Sequence, residues 1–209
     1  MDVIARNDHP GTPSESAAIA TLRPGDVIAF HMSHSEAWTQ LRKGKIQKIP
    51  YDLFRYGHIA LIVPDPGNDL ATSDLRLLQI AMKQAANADA ATDYLEGKHW
   101  VAYRPCGDLD LARLHGFSRQ VTITAGNAEH AYDYAGVLGL RNKPYQPDSI
   151  SEIGGKFSCA TLVVAGLHYS GCHLDAVHRN GWFDIVTPGQ VVDSSVRQEK
   201  KTPHLLSGK

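Results

Sequence analysis

Cys159 is the residue of this 209-residue chain whose neighbours best suit covalent chemistry. It follows a loop containing Gly154 and Gly155, comes directly after Ser158, and precedes the apolar run Ala160 to Leu167. Serine is a favoured N-cap, so this pattern puts a thiol on the first turn of a buried helix. The unpaired N–H groups and positive dipole end found there stabilise a thiolate, and the same N–H groups can bind an oxyanion. The competing reading is structural, because cysteine is among the most buried residue types and position alone does not make one a nucleophile. A nucleophile also needs a base within hydrogen-bond reach. Of the eleven histidines, His58 is the best placed: it opens the apolar run Ile59 to Val63, and a strand end holds an imidazole rigidly. Gly57 before it lets another segment or a substrate approach the backbone. A third polar group should fix the tautomer of the histidine. Gln79, in the otherwise apolar Leu77-Leu78-Gln79-Ile80-Ala81, is the residue a neighbouring strand would present, unless it simply faces solvent.

The elements that must carry these residues are legible in outline. Residues 1–21 are predicted as a surface arm, because Asn7 to Ser16 is rich in Pro, Ser, Thr and Gly without an apolar period. The folded domain is predicted over residues 22–198, and a loose polar tail over 199–209. Arg23-Pro24-Gly25-Asp26 is a turn signal, and Val27 to Phe30 reads as a buried strand. Further strands are predicted at His58 to Val63, Leu75 to Met82 and His99 to Tyr103, with a helical turn at Thr92 to Glu96. Ser35 to Lys48 reads as a short helix with a solvated basic face. Leu109 to Leu138 is alanine-rich and reads as helices, although Val121-Thr122-Ile123-Thr124 is β-branched and leaves that stretch open. Asn142 to Phe157 is predicted as a loop, and Trp182 to Val186 as a last short strand.

Composition excludes several function classes. With 43% hydrophobic and 21% charged residues the chain can bury one sizeable core. Lys plus Arg number 21 against 22 for Asp plus Glu, so no global field draws the chain to nucleic acid or to an anionic membrane. The longest apolar runs fall short of the roughly 20 residues that span a bilayer, so no integral membrane association is expected. The first twenty residues lack the basic start and continuous apolar stretch of a secretory signal, which predicts synthesis in the cytoplasm without one. Three well-separated cysteines do not form a disulfide framework, and Cys106 and Cys172 are expected as free, inert thiols. His31, His34 and Glu36, and the later set His168, Cys172, His173 and His178, lack the paired CxxC or helical HExxH context of a metal site. Neither a metal nor a cofactor is expected, and no P-loop or dinucleotide fingerprint is present. Trp38, Tyr51, Phe54 and Tyr56 either line a cleft before His58 or belong to the core.

Six short segments, in order, resemble one family. They are Leu22-Arg-Pro-Gly-Asp-Val-Ile28, Tyr56-Gly-His-Ile-Ala-Leu-Ile-Val63, Val101-Ala-Tyr-Arg-Pro105, Lys143-Pro-Tyr145, Phe157-Ser-Cys159 and Asp184-Ile-Val-Thr-Pro188. The series resembles the YiiX-like permuted branch of the NlpC-type, papain-like cysteine hydrolases, from about Leu22 to about Val196. In that branch the histidine precedes the cysteine, as His58 precedes Cys159. The resemblance implies an α+β, permuted papain-like fold: a small antiparallel sheet or partial barrel carries the histidine and packs on helices, one of which presents the cysteine at its N-terminus. It implies Cys159 as nucleophile and His58 as base, and Gln79 stands where the family commonly has a glutamate. Tyr145 matches the tyrosine of the family's Pro-Tyr motif beside the cysteine, and Tyr145, Tyr56 and Ser158 are expected on the substrate side. Ser158 and Ala160 depart from the Asp-Cys-Ser of the unpermuted cell-wall enzymes.

The activity so implied is acyl transfer through a thioester, needing no cofactor. The first substrate class is an amide bond in peptidoglycan stem peptides. A cell-wall enzyme without a signal peptide would need a dedicated secretion machine, making it an antibacterial effector with an immunity protein as partner. A second reading is a lipid acyl hydrolase or acyltransferase, since the permuted branch also resembles lecithin:retinol acyltransferase. A third is a papain-like binding module without catalysis, motivated by Gln79 in place of a carboxylate.

Overall fold

The run Ile59-Ala60-Leu61-Ile62-Val63 contains no polar residue, so a strand built from it must be covered on both faces. A computed structural model, which describes residues 1–31, 56–70, 74–81, 84–105, 108–126, 131–133, 146–174 and 186–198, places it in the middle of a sheet. The strands are β1 (Asp2–Asn7), β2 (Val27–His31), β3 (Tyr56–Pro64), β4 (Leu75–Gln79), β5 (Asn87–Ala90) and β6 (Trp100–Arg104). They form one open antiparallel sheet in the order β1-β6-β2-β3-β4-β5. A short pair, β7 (Cys172–Leu174) and β8 (Val196–Gln198), stands apart from it. Among the described residues the α-helices are α1 (Pro13–Ala20), α2 (Ala91–Leu95), α3 (Leu111–Thr124), α4 (Cys159–Tyr169) and α5 (Pro188–Val192). No helix among these residues is long and apolar enough to cross a membrane.

Strand alternation sorts the core into two layers. Ile59, Leu61 and Val63 join Val27, Ala29, Val101 and Tyr103 under α3, α4 and α5, together with Phe117, Leu162, Val163 and Val191. Ala60 and Ile62 join Ile28, Leu77, Trp100 and Ala102 on the other face, where α1 and α2 contribute Ala18, Ile19, Ala91 and Leu95. The architecture is therefore α+β, a six-stranded antiparallel sheet covered by helices. Helix α4 approaches β3 closely at Gly166, where an added Cβ would lie 2.6 Å from Leu61 Cδ2 and 3.0 Å from Phe117 Cε1.

The expected N-terminal arm over residues 1–21 is corrected: this segment is an edge strand and a helix. β1 pairs with β6 from Asp2 opposite Arg104 to Asn7 opposite Trp100. It was hidden because an edge strand is only partly buried and shows no apolar alternation, while Pro13 reads as a breaker although it suits the first turn of a helix. Glu15 ties the segment down. Buried at 3% exposure, it accepts from Asn7 Nδ2 at 2.5 Å, Gly97 N–H at 2.8 Å and Gly11 N–H at 2.8 Å.

Elsewhere β2, β3, β6 and α2 lie where expected, to within a residue or two at their ends. β5, α5, β7 and β8 were not expected, and the β-branched Val121 to Thr124 completes helix α3. The expectation of free thiols fails at Cys172, which is disulfide-bonded, whereas Cys159 is free. The helix expected at Ser35 to Lys48, most of the strand at Trp182 to Val186, and the tail 199–209 lie outside the described residues.

Removing the Glu15 carboxylate takes the acceptor from two backbone N–H groups, of Gly11 and Gly97, and leaves Asn7 Nδ2 with only the Lys98 carbonyl. Glu15→Ala should lower the unfolding free energy in urea by about 2–4 kcal/mol. A change under about 0.5 kcal/mol, the ordinary surface range, would show that the clasp does not hold the N-terminal segment.

Candidate active site

The backbone on either side of Cys159 is fixed before the thiol does anything. Phe157 is bridged to Tyr132: its N–H donates to Ala131 O at 2.9 Å and its carbonyl accepts from Asp133 N–H at 2.9 Å. Ser158 then caps α4 through a reciprocal box. Its Oγ accepts from Thr161 N–H at 3.1 Å, and Thr161 Oγ1 accepts from Ser158 N–H at 2.8 Å. Cys159 follows as the first residue of the helix, 8% exposed.

The thiol is set against strand β3. Backbone N–H groups of Ile59, of Ala160 and of Cys159 itself surround the sulfur, and Ile59 is the residue next to His58. Burial nevertheless dominates, pushing the thiol up to about 11 against the pull of those three N–H groups. The thiolate expected from a helix N-terminus is thus overridden, because the site excludes the water that a charged sulfur would need.

His58 stands at the start of β3, stacked on Phe30 with ring centroids 5.7 Å apart. Its Nε2 donates to Gln79 Oε1 at 2.9 Å. Burial lowers its pKa from the ordinary imidazole value of 6.5, and the Gln79 hydrogen bond offsets part of that. The structure therefore brings His58 and Gln79 into contact and Cys159 to the residue beside His58. No hydrogen bond joins the thiol to the imidazole. Both groups rest in their neutral forms at pH 7.

Gln79 does not face solvent. It is buried at 3% exposure, and its Nε2 donates to Asp89 Oδ2 at 2.9 Å. The same carboxylate oxygen accepts from Asn87 Nδ2 at 3.0 Å. Sequence reasoning missed Asp89 and Asn87. Asn87-Ala88-Asp89-Ala90 contains no β-former, and only the pairing of β5 with β4, Leu77 opposite Asp89 and Gln79 opposite Asn87, reveals the neighbourhood.

Two of the residues expected on the substrate side have structural partners. Tyr56 is buried in the core beneath the helices, its hydroxyl bonded to that of Tyr103. Ser158 is buried and spends its hydroxyl on the helix cap. Tyr145 lies outside the described residues, as do Trp38, Tyr51 and Phe54. His168 and His173 meet each other, Nδ1 to Nδ1 at 2.8 Å, with Asp148 Oδ1 3.3 Å from His168 Nε2. Among the described residues no group of three or more such side chains could hold a metal ion. No protein-family model, curated protein or solved structure matches this chain.

The two shifts bound the pH range of stability in opposite senses. His58 has a folded pKa below 6.5, so stability from keeping it neutral is present above about pH 6.5 and is lost as the pH falls through the folded value. Cys159 has a folded pKa near 11, so stability from keeping it neutral is present below pH 9.0 and is lost as the pH rises towards 11. Iodoacetamide alkylation of Cys159 in the native protein should accordingly rise only above pH 9, with its midpoint near 11. A midpoint at or below the free-cysteine value of about 8.5 would mean that burial does not control this thiol.

Proposed function

We propose that the chain is a cysteine hydrolase of the permuted papain-like kind, cleaving an amide bond through a thioester acyl-enzyme. The observation that carries this reading is the meeting of α4 with β3. A thiol on the first turn of a capped helix lies against the backbone of the residue next to a strand histidine, and a buried amide holds that histidine. The chain order, histidine strand before cysteine helix, fits the permuted arrangement.

Each residue then has a role. His58, neutral at pH 7, is in the form a general base requires. It accepts the thiol proton as the sulfur attacks the carbonyl carbon, so the ion pair forms during the reaction and is not stored beforehand. The developing oxyanion is held by the N–H of Cys159, with Ile59 N–H as a second donor. Collapse expels the amine, which takes the proton from His58. Water activated by the same imidazole then hydrolyses the thioester and frees Cys159.

The substrate class we favour is the peptide stem of peptidoglycan. The disulfide at Cys172 supports action in an oxidising compartment such as the periplasm, since cytosolic thiols are kept reduced. On this reading the protein is an antibacterial effector delivered by a secretion machine, with an immunity protein as its partner in the producing cell. One observation favours the binding-module reading instead: the thiol is protonated, buried and not hydrogen-bonded to His58.

Incubation with purified muropeptides, and separately with phospholipid vesicles, followed by mass spectrometry separates these readings. New amine and carboxyl termini in the muropeptides are expected, together with an acyl adduct on the peptide containing Cys159. Cys159→Ala and His58→Ala should each lower the rate by roughly a thousandfold or more. Fatty acid release alone would move the assignment to a lipid acyl hydrolase. A biological effect unchanged in Cys159→Ala would move it to a binding module.

A further inference from the structure

We propose that Asp89 is a positioning residue for His58, acting through Gln79. His58, Gln79 and Asp89 form a line in which a carboxylate fixes an amide and the amide fixes an imidazole. The catalytic consequence rests on the hydrolase reading; the effect on His58 itself does not.

The argument starts from what each group can donate. A glutamine amide has an accepting oxygen and a donating NH2 group, and by itself either end could face the histidine. A carboxylate only accepts. Asp89 Oδ2, 2.9 Å from Gln79 Nε2, therefore requires the NH2 end of the amide to point towards β5. Gln79 Oε1 is left facing His58 Nε2 at 2.9 Å, and an oxygen there can be met only by Nε2–H. The neutral imidazole carries one proton, so Nδ1 bears the lone pair. Asp89 thus selects, two hydrogen bonds away, which ring nitrogen is the base. Asn87 Nδ2, on the same Oδ2 at 3.0 Å, holds the carboxylate in place from its own strand.

The second consequence is electrostatic. A neutral amide orients an imidazole but supplies little field for the imidazolium that forms when the thiol proton is taken. A carboxylate bonded to the far end of that amide polarises it, and hydrogen bonds in such a chain strengthen one another in a low-dielectric interior. Asp89 is only partly buried, so it can remain charged where Gln79, at 3% exposure, could not cheaply be replaced by an anion. The negative charge that a carboxylate third residue would bring directly is here one residue further out.

Asp89→Asn is the discriminating substitution. Its oxygen can still accept from Gln79 and Asn87, so thermal stability should stay within a few degrees while the charge is gone. In nitrogen-labelled wild-type protein, the His58 resonances, identified by their loss in His58→Gln, should show Nε2 protonated and Nδ1 bare above the titration midpoint. In Asp89→Asn the midpoint should fall by roughly 0.5–1 pH unit and Nδ1–H tautomer should appear. The acid limb of the hydrolysis pH profile should move by the same amount. Restoring the charge in the double variant Gln79→Glu/Asp89→Asn, which places the carboxylate on the imidazole and an amide behind it, should return the midpoint to the wild-type value or above. An unchanged midpoint and tautomer in Asp89→Asn would overturn the inference, whatever happens to activity. If no amide or ester is hydrolysed by the wild type yet the His58 signals shift as expected, the role of Asp89 stands and the hydrolase reading falls.

Discussion

Burial of β3 on both faces is the constraint from which the rest of the molecule follows. Five consecutive apolar residues leave the strand no solvent side, so the chain must supply a layer above it and another below. α1 and α2 meet one demand, α3, α4 and α5 the other. The upper layer can close only because Gly166 lets α4 come down onto Leu61. Seating α4 there brings its first residue, Cys159, to the start of the same strand, where His58 stands. The candidate site is therefore where the most buried helix meets the most buried strand, and its dryness is inherited from the core.

That dryness decides the electrostatics of the thiol. A helix N-terminus contributes about 0.3–1 kcal/mol to a nearby anion, and up to roughly 2 kcal/mol in a partly buried geometry. Removing a charge from water costs several kcal/mol in a real protein interior. With Cys159 enclosed, the second effect wins, and the resting state is a neutral thiol against the Ile59 backbone, next in sequence to a neutral imidazole. For a nucleophile this is a trade. Attack must be accompanied by proton removal, but a neutral thiol resists oxidation better than a thiolate would.

What the sequence disclosed, and what it withheld, follows the same physics. Continuous apolar runs announced β2, β3 and α4, because burial on all sides leaves no polar residue to confuse the pattern. The position of Cys159 at a helix start was legible for the same reason, as was Ser158 as its cap. Partial burial erased the signal elsewhere: β1 is an edge strand with a mixed pattern, and it looked like an arm. β5 is four residues of Asn, Ala and Asp, and no β-former marks it as a strand. The thiol's protonation was misjudged because position gives the helix dipole but not the enclosure. The disulfide at Cys172 was missed because pairing depends on distance in space, which cysteine count and spacing do not supply.

The glutamine at the third position is best understood through the same enclosure. A carboxylate at Gln79 would lie in a site of 3% exposure, bonded to an imidazole that burial already keeps neutral. It would be stabilised only once the imidazole became charged, and before that it would be a buried anion with a neutral partner, which is costly. An amide has no such penalty, and it can hand its orientation and polarisation on from a neighbour. β5 supplies that neighbour on the edge of the sheet, where Asp89 keeps some contact with water and a second amide, Asn87, to hold it. The line from β3 through β4 to β5 ends at the sheet edge, and its one carboxylate stands there, less buried than Gln79. A sheet with His58 on its central strand therefore favours a neutral residue next to the histidine and a charged one beyond it.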